Sequence, residues 1–558
     1  MVSQIMMNIE GDLSVNGQDF KLLVHAGLLW LKANQNTVNA LNVFPVPDGD
    51  TGTNMVLTMQ AAYDEIKDSQ EINIGKIAHA VAQGALMGAR GNSGVILSQL
   101  WRGFARSLDS IDTMNVPMLI AALGEARNTA YKGVVRPVEG TILTVAKDVA
   151  IAAEQNLRSN TGINDLIDII LTAADASVEN TPNLLPILKQ AKVVDSGGKG
   201  LYFILEGMAK FIRGESLDKP ELEIVPLTHM EVEDSMETIE PGQDYEVVID
   251  FRPHENFNLQ TFYNELEQIG TSIQVGEGDN IYRMHIHVPS DNRYTPIDFT
   301  MSFGTITKVY IENLMDQMAQ QSTARAESKT EELEFNPFEP GSIAVIAASP
   351  GHGIAKIFAS LGVAGVVKGG QTMNPSTEEI LASFENLPTD KIIILPNNKN
   401  IILAAQAAST MSDKKVAVIP CKSVPQGISA LLRLMPGMDF ESAVYDMTEA
   451  CSEVETGEIT TATRTVEING VNVQEGQVIA LHNGTLIKSC SSIMEATMSI
   501  FDECQMEDRE RITFFYGADT TPDTIREVTG KVAEAYPDHE IEVHAGDQPY
   551  YQFIISIE

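Results

Sequence analysis

From about Asp19 to Gly214 apolar residues return every three or four positions, with no convincing alternating stretch, so this part of the chain reads as amphipathic helices throughout. Eight are expected: Phe20 to Ala33, Met55 to Lys67, Ile74 to Met87, Gly94 to Arg106, Val116 to Lys132, Val138 to Glu154, Ile163 to Val178 and Lys199 to Arg213. Joined by short loops, they make an all-α eight-helix bundle or barrel whose connections are free to gather at one end.

The rhythm then changes twice. Between Gly242 and about Gln320 it runs strand (Tyr245 to Phe251), helix (Leu259 to Ile269), strand (Ser272 to Val275), strand (Ile281 to Val288), helix (Thr295 to Phe303) and strand (Ile306 to Ile311), the order of a ferredoxin-like α+β domain. Linkers are expected at Met230 to Glu240 and Gln320 to Glu339. From Gly341 onward, strands such as Ile343 to Ala348, Lys391 to Pro396 and Lys415 to Pro420 alternate with helices, as in parallel βαβ units. Ser376 and Glu379 stand at capping-box spacing, and Asn483-Gly484 marks a hairpin. A second α/β lobe runs from Gly476 to the end. The chain of 558 residues thus divides into a helical domain (1–215), a middle domain (240–320) and a two-lobed α/β domain (340–558).

Composition narrows the function. A hydrophobic fraction of 44% and a charged fraction of 20% belong to a folded, soluble protein. No apolar run approaches the roughly 20 residues of a membrane span. Met1 to Asp12 lacks a basic region followed by an apolar one, which points to the cytoplasm. The four cysteines, Cys421, Cys451, Cys490 and Cys504, show no Cys-x-x-Cys spacing and read as buried free thiols. A formal charge of −38 argues against nucleic acid and anionic membrane as partners, because the long-range field repels phosphate backbones. Any nucleotide must be neutralised locally, and magnesium ions and helix N-termini are the means.

Four loops carry such chemistry. In Asn42-Val43-Phe44-Pro45-Val46-Pro47-Asp48-Gly49-Asp50-Thr51-Gly52-Thr53-Asn54-Met55, two carboxylates flank one glycine just ahead of a helix. Asp48 and Asp50 can turn to one hard cation, leaving Thr51, Thr53 and the following N–H groups for phosphate oxygens. Asp-Gly-Asp alone is an ordinary polar turn; its company raises it. Gly88-Ala89-Arg90-Gly91-Asn92-Ser93-Gly94 ends one helix and starts another. Glu139-Gly140-Thr141 breaks the chain before a third, and Val194-Asp195-Ser196-Gly197-Gly198-Lys199-Gly200 opens the last. Convergence on one nucleotide explains all four together.

The segments Asn42 to Met55, Gly88 to Leu97, Arg136 to Lys147 and Val194 to Leu201 resemble the nucleotide-binding L subunit of bacterial dihydroxyacetone kinase, in the variant found in the kinase component of fatty acid kinases. The later segments Gly369-Gly370-Gln371-Thr372-Met373-Asn374-Pro375-Ser376, Leu395 to Asn400, Lys422 to Ile428 and Val543 to Pro549 resemble the same fatty acid kinase component. That resemblance implies a cytoplasmic, ATP-dependent phosphotransferase that phosphorylates the carboxylate of a fatty acid held by a separate lipid-binding partner. It implies a helical barrel holding ATP and two magnesium ions, a middle domain that makes a homodimer, and a C-terminal domain that docks the partner. Asp48 and Asp50 match the magnesium carboxylates. Thr51 stands where the dihydroxyacetone enzyme has histidine, and Asn42 replaces a further carboxylate. Gly91, Asn92, Ser93 and Gly94 match the phosphate loop, Thr141 and Asp195 match positions lining the nucleotide pocket, and Thr53 and Asn54 complete the candidate set.

In the middle domain His285 and His287, alternate residues of a strand, face one side. The family adds a cysteine to make a zinc site; here Asp244 falls at that position, with Glu246 two residues on. A bare His-x-His is also an ordinary half-buried polar face. His229 and His254 read as surface residues. Pro350-Gly351-His352-Gly353 follows a strand as a phosphate loop would, though glycines at such turns serve packing alone. The C-terminal folding resembles lipid-binding proteins of the DegV type, with loops around Gln371 to Asn374 and Asn397 to Lys399 as the expected exposed docking surface. Three functions stay open: the kinase component of a fatty acid kinase, a dihydroxyacetone-type kinase or phosphate relay, and a non-enzymatic nucleotide-binding scaffold. Intact Asp48, Asp50 and Ser93 favour an enzyme.

Overall fold

Many of the described helices start at a side chain that accepts from otherwise unpartnered N–H groups. The computed structural model describes residues 14–43, 46, 49–134, 136–156, 162–217, 225–226, 244–254, 257–266, 268–278, 281–314, 333, 335, 341–370 and 373–558. Asn16 opens α1 (Gly17–Ala33) with a capping box, its oxygen accepting from Gln18 and Asp19 while Asp19 reaches back to the Asn16 N–H. After a short α2 (Gln35–Ala40) come α3 (Thr51–Asp64), α4 (Ile74–Met87), α5 (Gly91–Ser107), α6 (Val116–Gly133), α7 (Ile142–Gln155), α8 (Ile163–Leu184), the short α9 (Pro186–Ala191) and α10 (Ser196–Arg213). The eight expected helices are therefore present. The expected start at Val138 moves to Ile142, because Gly140 turns with φ +82° and Thr141 becomes the N-cap. Helices α4 to α8 pack in sequence, α10 packs on α8 and on α1, and Leu31, Met55, Met59, Val81, Val145 and Leu201 lie in their shared core.

By contact the chain forms two units, Met1–Asp218 with Leu333–Glu558, and Lys219–Glu332. In the second unit β1 (Tyr245–Pro253), α11 (Leu259–Leu266), β2 (Thr271–Gly278), β3 (Ile281–Val288), α12 (Thr295–Phe303) and β4 (Gly304–Asn313) follow the expected strand and helix order. The sheet runs β2-β3-β1-β4, all antiparallel, with the two-residue strand Val225–Pro226 added beside β2. Val247, Ile249, Phe251, Met284 and Ile286 point from one face into a core with Phe262.

The C-terminal part of the first unit has two sheets. The first, parallel and ordered β6-β5-β7-β8, comprises β5 (Ala344–Ser349), β6 (Gly365–Lys368), β7 (Lys391–Leu395) and β8 (Lys415–Val418). Between them lie α13 (His352–Ser360), α14 (Thr377–Glu385) and α15 (Ile402–Met411), and α16 (Val424–Leu432) and α17 (Phe440–Ala450) follow. The second is a six-stranded mixed sheet: Glu455–Thr461, Val478–His482, Thr485–Cys490, Arg511–Tyr516, Glu540–Ala545 and Tyr551–Ile557. Ser376 and Glu379 form their capping box, and Asn483 and Gly484 turn the hairpin with φ +50° and +74°. The helical region is held by both lobes: Ala89 and Val95 share a core with Ile346, Ile392 and Ala404, and Val46 and Ala191 share another with Ile468 and Ile479. No described helix is long and apolar enough to cross a membrane. Both expected linkers lie almost wholly outside the described residues.

Candidate functional site

Asp50 holds the N-cap position of α3 but makes no capping bond. Asn39 from α2 does that work, its oxygen accepting from the N–H groups of Gly52 (2.7 Å) and Thr53 (3.2 Å). The Asp50 carboxylate is thus not spent on its own helix; it accepts instead from Asn374 Nδ2 at 2.5 Å. Two expectations change accordingly. The first N–H groups of α3 are satisfied within the chain rather than open to phosphate, and the Thr53 hydroxyl accepts from Gln35 (3.0 Å) and Asn39 (3.1 Å). Thr51 opens the helix, half-buried, and Asn42 folds its oxygen onto the N–H of Val43. Asp48 lies outside the described residues.

The start of α3 touches the start of α5. Gly91 has φ +58°, and a β-carbon there would lie 2.7 Å from Asn54 Nδ2, so the position needs glycine twice over. One residue on, Asn92 reaches Asn400 at 3.4 Å. Gly94 lets α5 close on Thr58 of α3, whose hydroxyl lies 2.4 Å from the site of a β-carbon. Ser93 faces α10: the β-carbon site of Gly197 lies 3.5 Å from Ser93 Oγ and 3.4 Å from Asp195 Oδ2.

Asp195 in turn joins α10 to α7. Its carboxylate caps α10 through the Gly198 N–H at 2.6 Å. Burial pushes its carboxyl up to about 6, against the backbone N–H groups of Gly198 and Ile142, which favour the anion. Its own N–H donates to Thr181 at 3.0 Å. Thr141 caps α7, its hydroxyl donating to Val138 and accepting weakly from Leu143. The four helix starts named by the sequence therefore meet in a chain of contacts: α3 to α5 through Asn54 and Gly91, α5 to α10 through Ser93 and Gly197, and α10 to α7 through Gly197, whose β-carbon site lies 3.4 Å from Ile142 Cβ. Beside them Glu139 is held by Lys147 (2.6 Å), Thr144 (2.7 Å) and Tyr131 (3.0 Å). Burial works against its charge, but these bonds overcome it and keep its carboxyl below the usual range.

Sequence reasoning missed Asn39, Asn374 and Arg90. Arg90 forks onto Glu379 at 3.1 and 3.2 Å and donates to the Asn374 carbonyl at 2.9 Å. The expected docking loops need correction: Asn374, Asn397 and Asn398 are buried, leaving Met373 and Lys399 exposed. Asn397 donates to the Ala348 carbonyl and accepts from the Cys421 thiol, and Gln371 and Thr372 lie outside the described residues. Four of the motifs meet inside the lobe pair instead, where Gly369, Gly370, Asn397, Asn398, Ser423 and Gln548 line a cavity of about 40 Å³. In Pro350-Gly351-His352-Gly353 the glycines serve packing, since β-carbons on Gly351 and Gly353 would fall 2.1 Å from the carbonyls of Gly546 and Ala545.

The zinc expectation also changes. Strand pairing sets Glu246 opposite His287 and Val248 opposite His285, so Glu246 is the carboxylate near the rings, 3.4 Å from His285 Nδ1. Asp244 lies past the pairing of Tyr245 with Val288 and accepts from Ser290 at 2.9 Å. Asp244, His285 and His287 do not bring their ligand atoms together; among the described residues only Glu455, His482 and Cys504 do. In that trio Glu455 is shared by His482 and Arg509, and burial pushes the Cys504 thiol up to about 12. His285 is itself buried, its pKa lowered to about 4 by burial and by His287. His254 is exposed as expected, His229 lies outside the described residues, and all four cysteines are buried and free.

Comparison with known proteins extends over the whole length. Residues 45–210 match the DAK2 domain, 240–321 the middle domain of FakA-like (fatty acid kinase) proteins, and 344–558 the C-terminal region of the same proteins. Protein YloV of Bacillus subtilis (strain 168) is 39% identical, over 98% of this chain and 99% of its own. An uncharacterized protein of Staphylococcus aureus (strain USA300) is 37% identical over the same shares. Among solved structures, dihydroxyacetone kinase from C. freundii with AMP-PNP and Mg2+ is 18% identical over 34% of this chain and 33% of its own, with TM-score 0.28. DegV, a fatty acid binding protein from Bacillus subtilis, is 13% identical over 39% and 99%, with TM-score 0.30. Three matched regions in the expected order and relatives aligned end to end lead to one conclusion: the chain belongs to the FakA-like family of fatty acid kinase proteins, built on a DAK2 domain.

Proposed function

We propose that this chain is the ATP-dependent kinase component of a two-protein system, transferring the γ-phosphoryl group of ATP to the carboxylate of a fatty acid carried by a separate DegV-type lipid-binding protein. The meeting of four helix starts around Asp50, Ser93 and Asp195 carries this reading, since helix N-termini and a carboxylate not spent on capping suit a triphosphate and its cations. Asp48 and Asp50 would hold magnesium, two ions in all. Asn42, Thr51, Asn54, Gly91 to Gly94, Thr141 and Asp195 would surround the nucleotide, with Thr53 bracing the turn from behind. We read the helical region as a closed eight-helix barrel and the middle region as a ferredoxin-like sandwich that dimerises, in a cytoplasmic protein. Zinc is not part of the proposal, because Asp244 is turned to Ser290.

The chemistry asks little of the protein. A fatty acid carboxylate is already ionised, so no general base is needed; one of its oxygens attacks the γ-phosphorus, the bond to the β-phosphate oxygen breaks, and ADP leaves with the electron pair. Bound magnesium supplies charge neutralisation. The residues named above contribute position, holding the triphosphate in line and excluding water that would hydrolyse the acyl phosphate.

The test is to incubate the purified chain with ATP, magnesium and one of three acceptors: a lipid-binding protein loaded with fatty acid, free fatty acid, or dihydroxyacetone. Acyl phosphate, trapped with hydroxylamine, is expected only with the loaded protein. Phosphorylated dihydroxyacetone would replace the proposal with a sugar kinase, and no transfer to any acceptor would leave a nucleotide-binding scaffold.

A further inference from the structure

The loop Gly369–Ser376 belongs to the C-terminal region, yet its Asn374 sits at the mouth of the helical one. Asn374 is 4% exposed. Its Nδ2 lies 2.5 Å from Asp50 Oδ2 and 3.6 Å from the β-carbon site of Gly91. Four further bonds hold this stretch of backbone there. Arg90 donates to its carbonyl, Glu379 both accepts from Arg90 and caps Ser376 at 2.6 Å, and the Thr377 N–H donates to the Ala89 carbonyl at 3.2 Å. The amide orientation follows from chemistry, since exchanging its nitrogen and oxygen would press a carbonyl against a carboxylate.

With Nδ2 committed to Asp50, Asn374 Oδ1 is left buried with no hydrogen-bond partner. A buried carbonyl oxygen without a donor costs stability, and a bound cation is one of the partners that can satisfy it. The oxygen is a neutral hard donor on the same short side chain that grips Asp50, and hard cations choose such oxygens.

We infer that Asn374 completes the cation site of the helical region, its nitrogen fixing the Asp50 carboxylate and its Oδ1 supplying a neutral oxygen to the coordination sphere of the magnesium that Asp50 holds. The inference rests on the nucleotide reading of the site and adds to it a residue 324 positions further along the chain. The phosphotransfer site is then composite, and the helical region by itself lacks one of its donors.

The test uses the full chain with Mn2+ as a paramagnetic stand-in for magnesium, titrated by electron paramagnetic resonance with a non-hydrolysable ATP analogue present. Asn374→Ala is expected to weaken Mn2+ binding by about tenfold or more. Asn374→Asp, which keeps an oxygen donor and gains charge, is expected to retain or tighten it. Should the aspartate variant fail to fold, as judged by thermal melting, Asn374→Ser offers a neutral oxygen and is expected to recover part of the loss. Unchanged binding in Asn374→Ala would overturn the inference, and so would equal weakening in all oxygen-bearing variants, which would leave only the contact to Asp50. Absence of Mn2+ and nucleotide binding in the unmodified chain would instead overturn the nucleotide reading itself.

Discussion

At the scale of single residues, the site depends on side chains released from ordinary duties. Asp50 stands at a helix start without capping it, and the buried Asn374 amide donates to it, so its removal should cost chemistry first and stability by about one hydrogen bond. Asp50→Ala is expected to lower phosphoryl transfer by about 100-fold or more and unfolding free energy by only about 1 kcal/mol, measured by hydroxamate trapping and denaturant titration. Gly91→Ala tests the opposite case. At φ +58° with Asn54 beside it, any side chain there is strained, and a loss of about 1 to 3 kcal/mol in unfolding free energy by denaturant titration is expected. Asp195 carries a pH signature. Its carboxyl, raised to about 6, binds its proton more tightly in the folded chain. It therefore lends stability below about pH 4 that is lost as pH rises through about 6. Asp195→Asn should remove that slope, so its melting temperature relative to the parent should climb between those two pH values. What the sequence displayed here was residue type and spacing; the partners of Asp50 were hidden, because Asn374 lies 324 positions away and no local pattern announces a contact closed by tertiary folding.

At the scale of elements, legibility followed locality. Helix bounds at Ile74 and Met87, or at Val116, agree with the periodicity because Asn73 and Asn115 cap them from within the same segment. The capping box at Ser376 and the turn at Asn483-Gly484 were legible for the same reason. The start of α3, expected at Met55 and found at Thr51, was not, for its cap comes from Asn39 on a six-residue helix too short to show a period. Asn39→Ala is expected to cost about 1 kcal/mol in unfolding free energy by denaturant titration, since the N–H groups of Gly52 and Thr53 lose their acceptor together. Strand register escaped in the same way. Asp244 and Glu246 share a face by parity, and only the pairing with β3 shows that Glu246, not Asp244, meets the histidines.

At the scale of the whole molecule, the outer thirds of the sequence share two apolar cores, while the middle unit, Lys219–Glu332, interrupts them along the chain. Periodicity showed three regions but could not show that the first and last cohere, because the face of α5 bearing Val95 looks like any other buried stripe. The consequence reaches into engineering and descent alike. Severed within residues 219–332 and co-produced, the two outer fragments should find each other and reconstitute a native-like complex, detectable by co-elution. Val95→Asp, which would bury an unpaired charge at their junction, should abolish that reunion. A polypeptide so arranged behaves as two halves of one device, in which a change of shape at Ala89 or Val95 has to be answered at Ile346, Ile392 or Ala404.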